Sequence, residues 1–230
     1  MVIKFRILFL LLAVINSASA YACSDDSVDS DYLSQDANEN NTIGMSAVLQ
    51  EHLYEIQQNT SKIEFRVDSP VGDVWVSFED FAGSFVMLDD SLQCELATVD
   101  INTESMDTDG GFIGMLLKSE SFFDVENFPS IRFVGKSLEW FNPRHAVLKG
   151  DMTIQDSTRP VAFYIELIDA DSKDDSQERI TVKASTTIKR SEFGIYTMLP
   201  AVSDNVNLYM SIDALKKGSE ASSLTMVTEK

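Results

Sequence analysis

Residues 206–213 read VNLYMSID, and apolar side chains fall on every second position: Val206, Leu208, Met210 and Ile212 alternate with Asn207, Tyr209, Ser211 and Asp213. Successive side chains of an extended chain point to opposite faces, so this spacing predicts a strand with one face in a core and the other in water. The same period of two recurs at Ile63/Phe65/Val67, Val74/Val76/Phe78, Val99/Ile101, Ile131/Phe133, Leu148/Gly150/Met152/Ile154, Val161/Phe163/Ile165/Leu167 and Ile180/Val182/Ala184/Thr186/Ile188. Short polar connections join the runs, among them Ser69-Pro70-Val71-Gly72-Asp73, Phe141-Asn142-Pro143-Arg144 and the charged turn from Ser172 to Glu178. About eight strands so regularly spaced predict an all-β antiparallel barrel or sandwich. Helical spacing is confined to Gly111–Ser121, through Phe112, Met115, Leu116 and Ser119, and to a segment around Ser46 to Leu53.

Outside the strand-rich region, residues 51–216, the character of the chain changes. Lys4 and Arg6 precede the apolar run from Ile7 to Ile15, and Ala18-Ser19-Ala20 supplies a small-residue cleavage site, so residues 1–22 read as a secretory signal peptide. The run, about nine residues, is too short to cross roughly 30 Å of hydrocarbon as a helix. Residues 23–50 hold SDDSVDSDYLSQDANENNT and no Lys or Arg, the composition of a self-repelling, disordered linker. Residues 217–230 read as a disordered polar tail. An exported, periplasmic protein is the expectation.

The chain carries 18 basic and 37 acidic residues, a formal charge of −19. Nucleic-acid binding rests on Lys and Arg neutralising phosphates, and adhesion to anionic headgroups needs a basic patch, so both classes are disfavoured. The two cysteines are Cys23 and Cys94. In an oxidising compartment they can form a disulfide. Cys23 has a competing fate, because Ala20-Tyr21-Ala22-Cys23 sits where a lipoprotein signal places its acylated cysteine, which would tether the protein to a membrane.

Reactive constellations are scarce. His52 precedes the first strand and His145 lies in a turn, and no G-x-S-x-G elbow is present. Asp107-Thr108-Asp109-Gly110 opens like a calcium loop, but the twelfth position is Lys118 where that loop needs Glu. Neither a cofactor nor a Cys/His metal site is expected. Aromatic residues instead gather near turns: Phe78, Phe81 and Phe85, then Phe112, Phe122, Phe123, Phe128 and Phe133. Such rings either fill a core or line a ligand site; an interior rich in them and poor in reactive groups suits binding a lipid better than transforming one.

The turns carry a resemblance. Tyr54-Glu55-Ile56 followed by Thr60-Ser61-Lys62-Ile63-Glu64-Phe65, the bend Phe81-Ala82-Gly83-Ser84-Phe85, and Ser105-Met106-Asp107-Thr108 come first. Leu117-Lys118-Ser119, Phe122-Phe123-Asp124-Val125, Phe128-Pro129, Lys149-Gly150-Asp151-Met152-Thr153-Ile154 and Arg190-Ser191-Glu192-Phe193-Gly194-Ile195 follow in order. In this sequence they resemble the motifs of the YceI-like family of bacterial periplasmic, lipocalin-like, polyisoprenoid-binding proteins, from about Tyr54 to Ala214. The resemblance implies an eight-stranded antiparallel barrel, a helix near its mouth, and an apolar lumen for the tail of a prenyl quinone or prenyl pyrophosphate. On that reading Phe65, Val76, Phe81, Phe85, Phe122, Phe123, Phe133, Phe163 and Met210 line the lumen. Lys118, Arg132 and Arg190 are the head-group candidates.

This chain departs from the family at the head group. Gln57 and Thr60 stand where Asp and His are usual in the first strand, and Ile113 and Gly114 stand where an Arg-Asp pair commonly precedes L-K-S. Fewer charged partners favour a neutral quinone ring over a pyrophosphate, which wants Arg and Lys forks. The alternative from another class is a protein-interaction module, its barrel filled by side chains and its acidic surface meeting a basic partner. Within SESFFDVENFPSIRF (Ser119–Phe133), Phe122, Phe123 and Phe128 are expected to close or line the barrel's end, with Ile131 and Phe133 turned inward.

Overall fold

The computed structural model describes residues 52–70, 72–86, 97–168 and 178–217. The signal peptide, the acidic linker with Cys23, Cys94, Ser46 to Glu51, most of the Ser172–Glu178 turn and the tail beyond residue 217 lie outside the described residues. Among the described residues, eleven strand segments form one sheet: β1 (Leu53–Ile56), β2 (Lys62–Ser69), β3 (Gly72–Phe78), β4 (Phe81–Val86), β5 (Ala97–Asn102), β6 (Met106–Asp107), β7 (Ser130–Asn142), β8 (His145–Ile154), β9 (Ser157–Ile168), β10 (Arg179–Lys189) and β11 (Asn205–Lys216). One α-helix among the described residues, α1 (Gly111–Lys118), lies between β6 and β7.

These segments occupy eight strand positions, and the sheet closes on itself as an antiparallel barrel rather than a sandwich. β1 and β2 are one position, since β11 pairs with β1 through Ile56↔Ala214 and with β2 through Phe65↔Leu208. Pairing of β1 with β4 and of β2 with β3 makes β3 and β4 the second position. β5 and β6 are the third, pairing with β4 and β3 respectively. The breaks within these positions meet: Gln58 donates its side-chain amide to the Glu79 carbonyl, and the Glu79 N–H donates to the Ser105 carbonyl. A line of interrupted pairing bends the sheet there, as bulges do at barrel corners. Closure removes the unpaired edges an open sheet would expose.

Alternation holds along most strands. Ile63, Phe65 and Val67 point inward on β2, and Val161, Phe163 and Ile165 on β9, all buried in one core. Leu208 and Met210 also face the lumen but are only half-buried, because they look onto cavities. The pattern fails at Ile212, Asp213 and Ala214, which are buried in succession. Asp213 belongs to the outer face, yet the segment from Gln57 to Ser61 covers it: the Thr60 hydroxyl donates to its carboxylate at 2.6 Å and Arg179 pairs with it at 3.0 Å. Thr60, one of the departures from the family pattern, thereby caps a buried carboxylate.

α1 covers Gly111–Lys118 of the expected Gly111–Ser121, with Ser119 as its C-cap. Leu117 is buried and Ile113 and Leu116 pack against the core, so Phe112 and Met115 point to solvent, 73% and 68% exposed. Beyond the helix, Asp124 takes a positive φ of 48° and its carboxylate accepts from the Asn127 amide at 3.0 Å, which turns the chain toward β7.

Candidate functional site

Two apolar chambers lie inside the barrel. The first, about 90 Å³, sits at the end covered by α1 and the β10–β11 connection. Phe65, Phe122 and Phe123 line it with Leu117, Met152, Phe193 and Arg190. The Phe65 ring lies 5.9 Å, centroid to centroid, from both Phe78 and Phe123. Phe122 and Phe123 reach this place because the Phe123 N–H returns to the Leu117 carbonyl at 3.0 Å, closing the end of α1 and folding the next residues over the lumen. Ile131 lines the same chamber, while Phe128 is half-buried outside the lining.

The second chamber, about 100 Å³, occupies the opposite half and is lined by Phe85, Phe133, Phe163, Leu138, Trp140 and Leu148 among others. Phe133 and Phe163 meet edge to face at 5.1 Å, and Phe85 stacks on Tyr54 at 5.4 Å. The sheet wall makes room for Phe133 at Gly150, where a Cβ would stand 2.7 Å from the Phe133 Cζ and against the Val134 carbonyl. Met210 is shared by both linings. Val76 and Phe81, buried to 1% and 4% exposure, are core residues that line neither chamber.

The three basic candidates do not converge. Lys118 pairs with Glu104 at 3.1 Å, and Arg132, on the outer face of β7, pairs with Asp100 at 3.8 Å. Arg190 alone reaches a chamber, and there its guanidinium donates to the carbonyls of Ser203 (2.9 Å), Ile195 (3.2 Å), Thr197 (2.7 Å) and Val202 (3.1 Å). Burial pushes its pKa down while nearby Asp204 pulls it back up. Asp204 is itself held below the usual carboxylate range by the Ser191 N–H and hydroxyl. Gly194, at φ +84°, ends the short 3₁₀ turn Arg190–Phe193 in the left-handed conformation that glycine adopts without strain. That turn delivers Phe193 and Ile195 to the chamber wall.

Several lining residues escaped the sequence reading. On β7 the inward positions run Ile131, Phe133, Gly135, then a register shift between Gly135 and Ser137 reverses the phase and turns Leu138 and Trp140 inward. A bulge adds one residue to one strand and breaks strict alternation. Phe193 lies in a 3₁₀ turn, where period two does not apply, although its motif was visible.

The site's chemistry is that of an apolar container. Among the described residues, no group of three or more His, Cys, Asp or Glu is placed to hold a metal ion. His145 hydrogen-bonds Asn142 at 3.0 Å, stacks on Phe141 and lies tilted against Tyr164 at 5.6 Å, outside the barrel. No described helix is long and apolar enough to cross a membrane.

Among known proteins, a UPF0312 protein of Yersinia pestis (strain Pestoides F) is 29% identical over 173 residues, covering 74% of this chain and 89% of the relative. BcnA of Burkholderia cenocepacia superposes with a TM-score of 0.61 at 17% identity, over 69% of this chain and 98% of BcnA. A polyisoprenoid binding domain from Saccharophagus degradans, implicated in plant cell wall breakdown, superposes with a TM-score of 0.55 at 10% identity, over 71% and 98%. The YceI-like domain matches residues 54–214, from the stacked Tyr54 to the buried Ala214 that together span the closed barrel, and the chain belongs to that family.

Proposed function

We propose that the protein binds or carries an isoprenoid lipid in the barrel lumen, without transforming it, in the bacterial periplasm. The observation that carries this reading is the pair of apolar chambers meeting at Met210 inside a closed barrel. Each methylene moved from water into such surroundings gains about 0.8 kcal/mol, and ordering the tail offsets much of the sum. The similarity to a polyisoprenoid binding domain supports the same ligand class.

A neutral head, such as a quinone ring, fits better than a pyrophosphate. Lys118 and Arg132 are engaged by Glu104 and Asp100, and the Arg190 donors are engaged by main-chain carbonyls, so none of these three offers a fork ready for phosphate oxygens. Export through the signal peptide, with Cys23 as a lipid tether, completes the proposal; Cys23→Ala should move the protein from the membrane to the soluble fraction.

Native mass spectrometry of gently purified protein, with organic extraction, tests the function. A bound isoprenoid, or uptake of added quinone, is expected; consistent absence of both would sink the lipid reading. The small volume of each chamber favours a second reading, an interaction module with a side-chain-filled barrel, and that same negative result would select it.

A further inference from the structure

We propose that Met210 is a valve between the two halves of the lumen and sets the length of apolar tail that the barrel admits. The proposal rests on the lipid-binding reading above. Among the described residues, Met210 is the one side chain common to the linings of both chambers.

Volume makes the valve consequential. An apolar cavity of about 150 Å³ holds benzene, a six-carbon ring. The chambers here measure about 90 and 100 Å³, so neither by itself takes more than about one five-carbon isoprene unit. A longer tail fits only when the chambers are joined.

The neighbouring side chains offer little freedom to join them. Phe133 and Phe163 are 4% and 2% exposed and locked edge to face, and Phe133 already occupies the space left by the missing Cβ of Gly150. Met210 differs in three ways. It is only half-buried, it is unbranched with three rotatable bonds, and its cross-strand neighbour on β10 is Ala184, whose methyl group leaves room beside it. Swinging the thioether aside is therefore the low-cost way to connect the chambers.

The test uses dimethylallyl alcohol, one isoprene unit, and geraniol, two units and so one for each chamber, as probes. Trp140 lines the second chamber, whereas Trp75 stacks on Tyr209 outside the barrel, so Trp140 fluorescence in a Trp75→Phe background reports binding. Wild-type protein should take both probes. Met210→Phe, which fills the passage, should keep dimethylallyl alcohol within about twofold and weaken geraniol by at least about tenfold. Met210→Ala, which opens it, should tighten geraniol and leave the short probe unchanged. Geraniol binding unaltered by both substitutions would overturn the valve while leaving lipid binding intact. Failure of the wild type to bind either probe would instead overturn the lipid reading and the valve with it. Native mass spectrometry on each variant verifies stoichiometry, and the paired opposite substitutions guard against a variant that does not fold.

Discussion

Replacing Arg190 with Met separates two roles that a buried cation at a lipid chamber can have. The guanidinium, 6% exposed, ties four carbonyls from Ile195 to Ser203 to the end of β10. Methionine keeps much of the volume and removes every donor. At a net worth of about 1 kcal/mol per hydrogen bond, the four together predict a loss of about 4 kcal/mol. For a chain of this size that lowers Tm by about 8–16 °C. Arg190→Lys keeps the charge but cannot reproduce the planar fork, and should lose most of the same stability. Urea unfolding measures both, the midpoint falling while the slope stays constant. A loss below about 1 kcal/mol for Arg190→Met, together with abolished lipid binding, would refute the anchoring role and return Arg190 to the head group.

Stability should also fall at both ends of the pH scale. The Tyr54 hydroxyl, first, and Lys216 hold Glu178 below the usual carboxylate range, and Ser191 does the same for Asp204. Their contribution is complete above about pH 4 and is lost as pH falls through the lowered folded values; because Glu178 is largely exposed, its share is small. Burial and then Glu178 push the Tyr54 phenol up, so its contribution is complete below about pH 10 and is lost as pH rises beyond it. Urea midpoints across pH should show both limbs, and Tyr54→Phe should flatten the alkaline one. Gly150→Ala should cost about 1–3 kcal/mol by overpacking, since the new methyl group meets Phe133 and the Val134 carbonyl. An unchanged urea midpoint for that variant would contradict the placement of the Phe133 ring.

Strand periodicity was legible because it is local. Alternation along VNLYMSID, and along the runs containing Phe65 and Phe163, follows from backbone geometry alone, and the resulting inward faces are those of the barrel. The motif series around Phe81, Lys118 and Arg190 was legible for the same reason, and the family match covers the same span. Where a register shift intervened, as between Gly135 and Ser137, the alternation reversed and Leu138 and Trp140 were missed. Helical spacing around Phe112 and Met115 was read correctly as a helix, but spacing does not say which stripe faces the core.

By itself, then, the order of residues determined the eight longer runs of strand, their inward faces wherever alternation is unbroken, and the family, all properties of neighbours along the chain. Tertiary structure alone decided that Thr60 covers Asp213, that Arg190 is engaged by carbonyls while Lys118 and Arg132 stay outside the lumen, and that Met210 stands between two chambers. Those facts depend on barrel closure, which brings residues far apart in sequence within contact distance and fixes how much space their side chains leave unfilled.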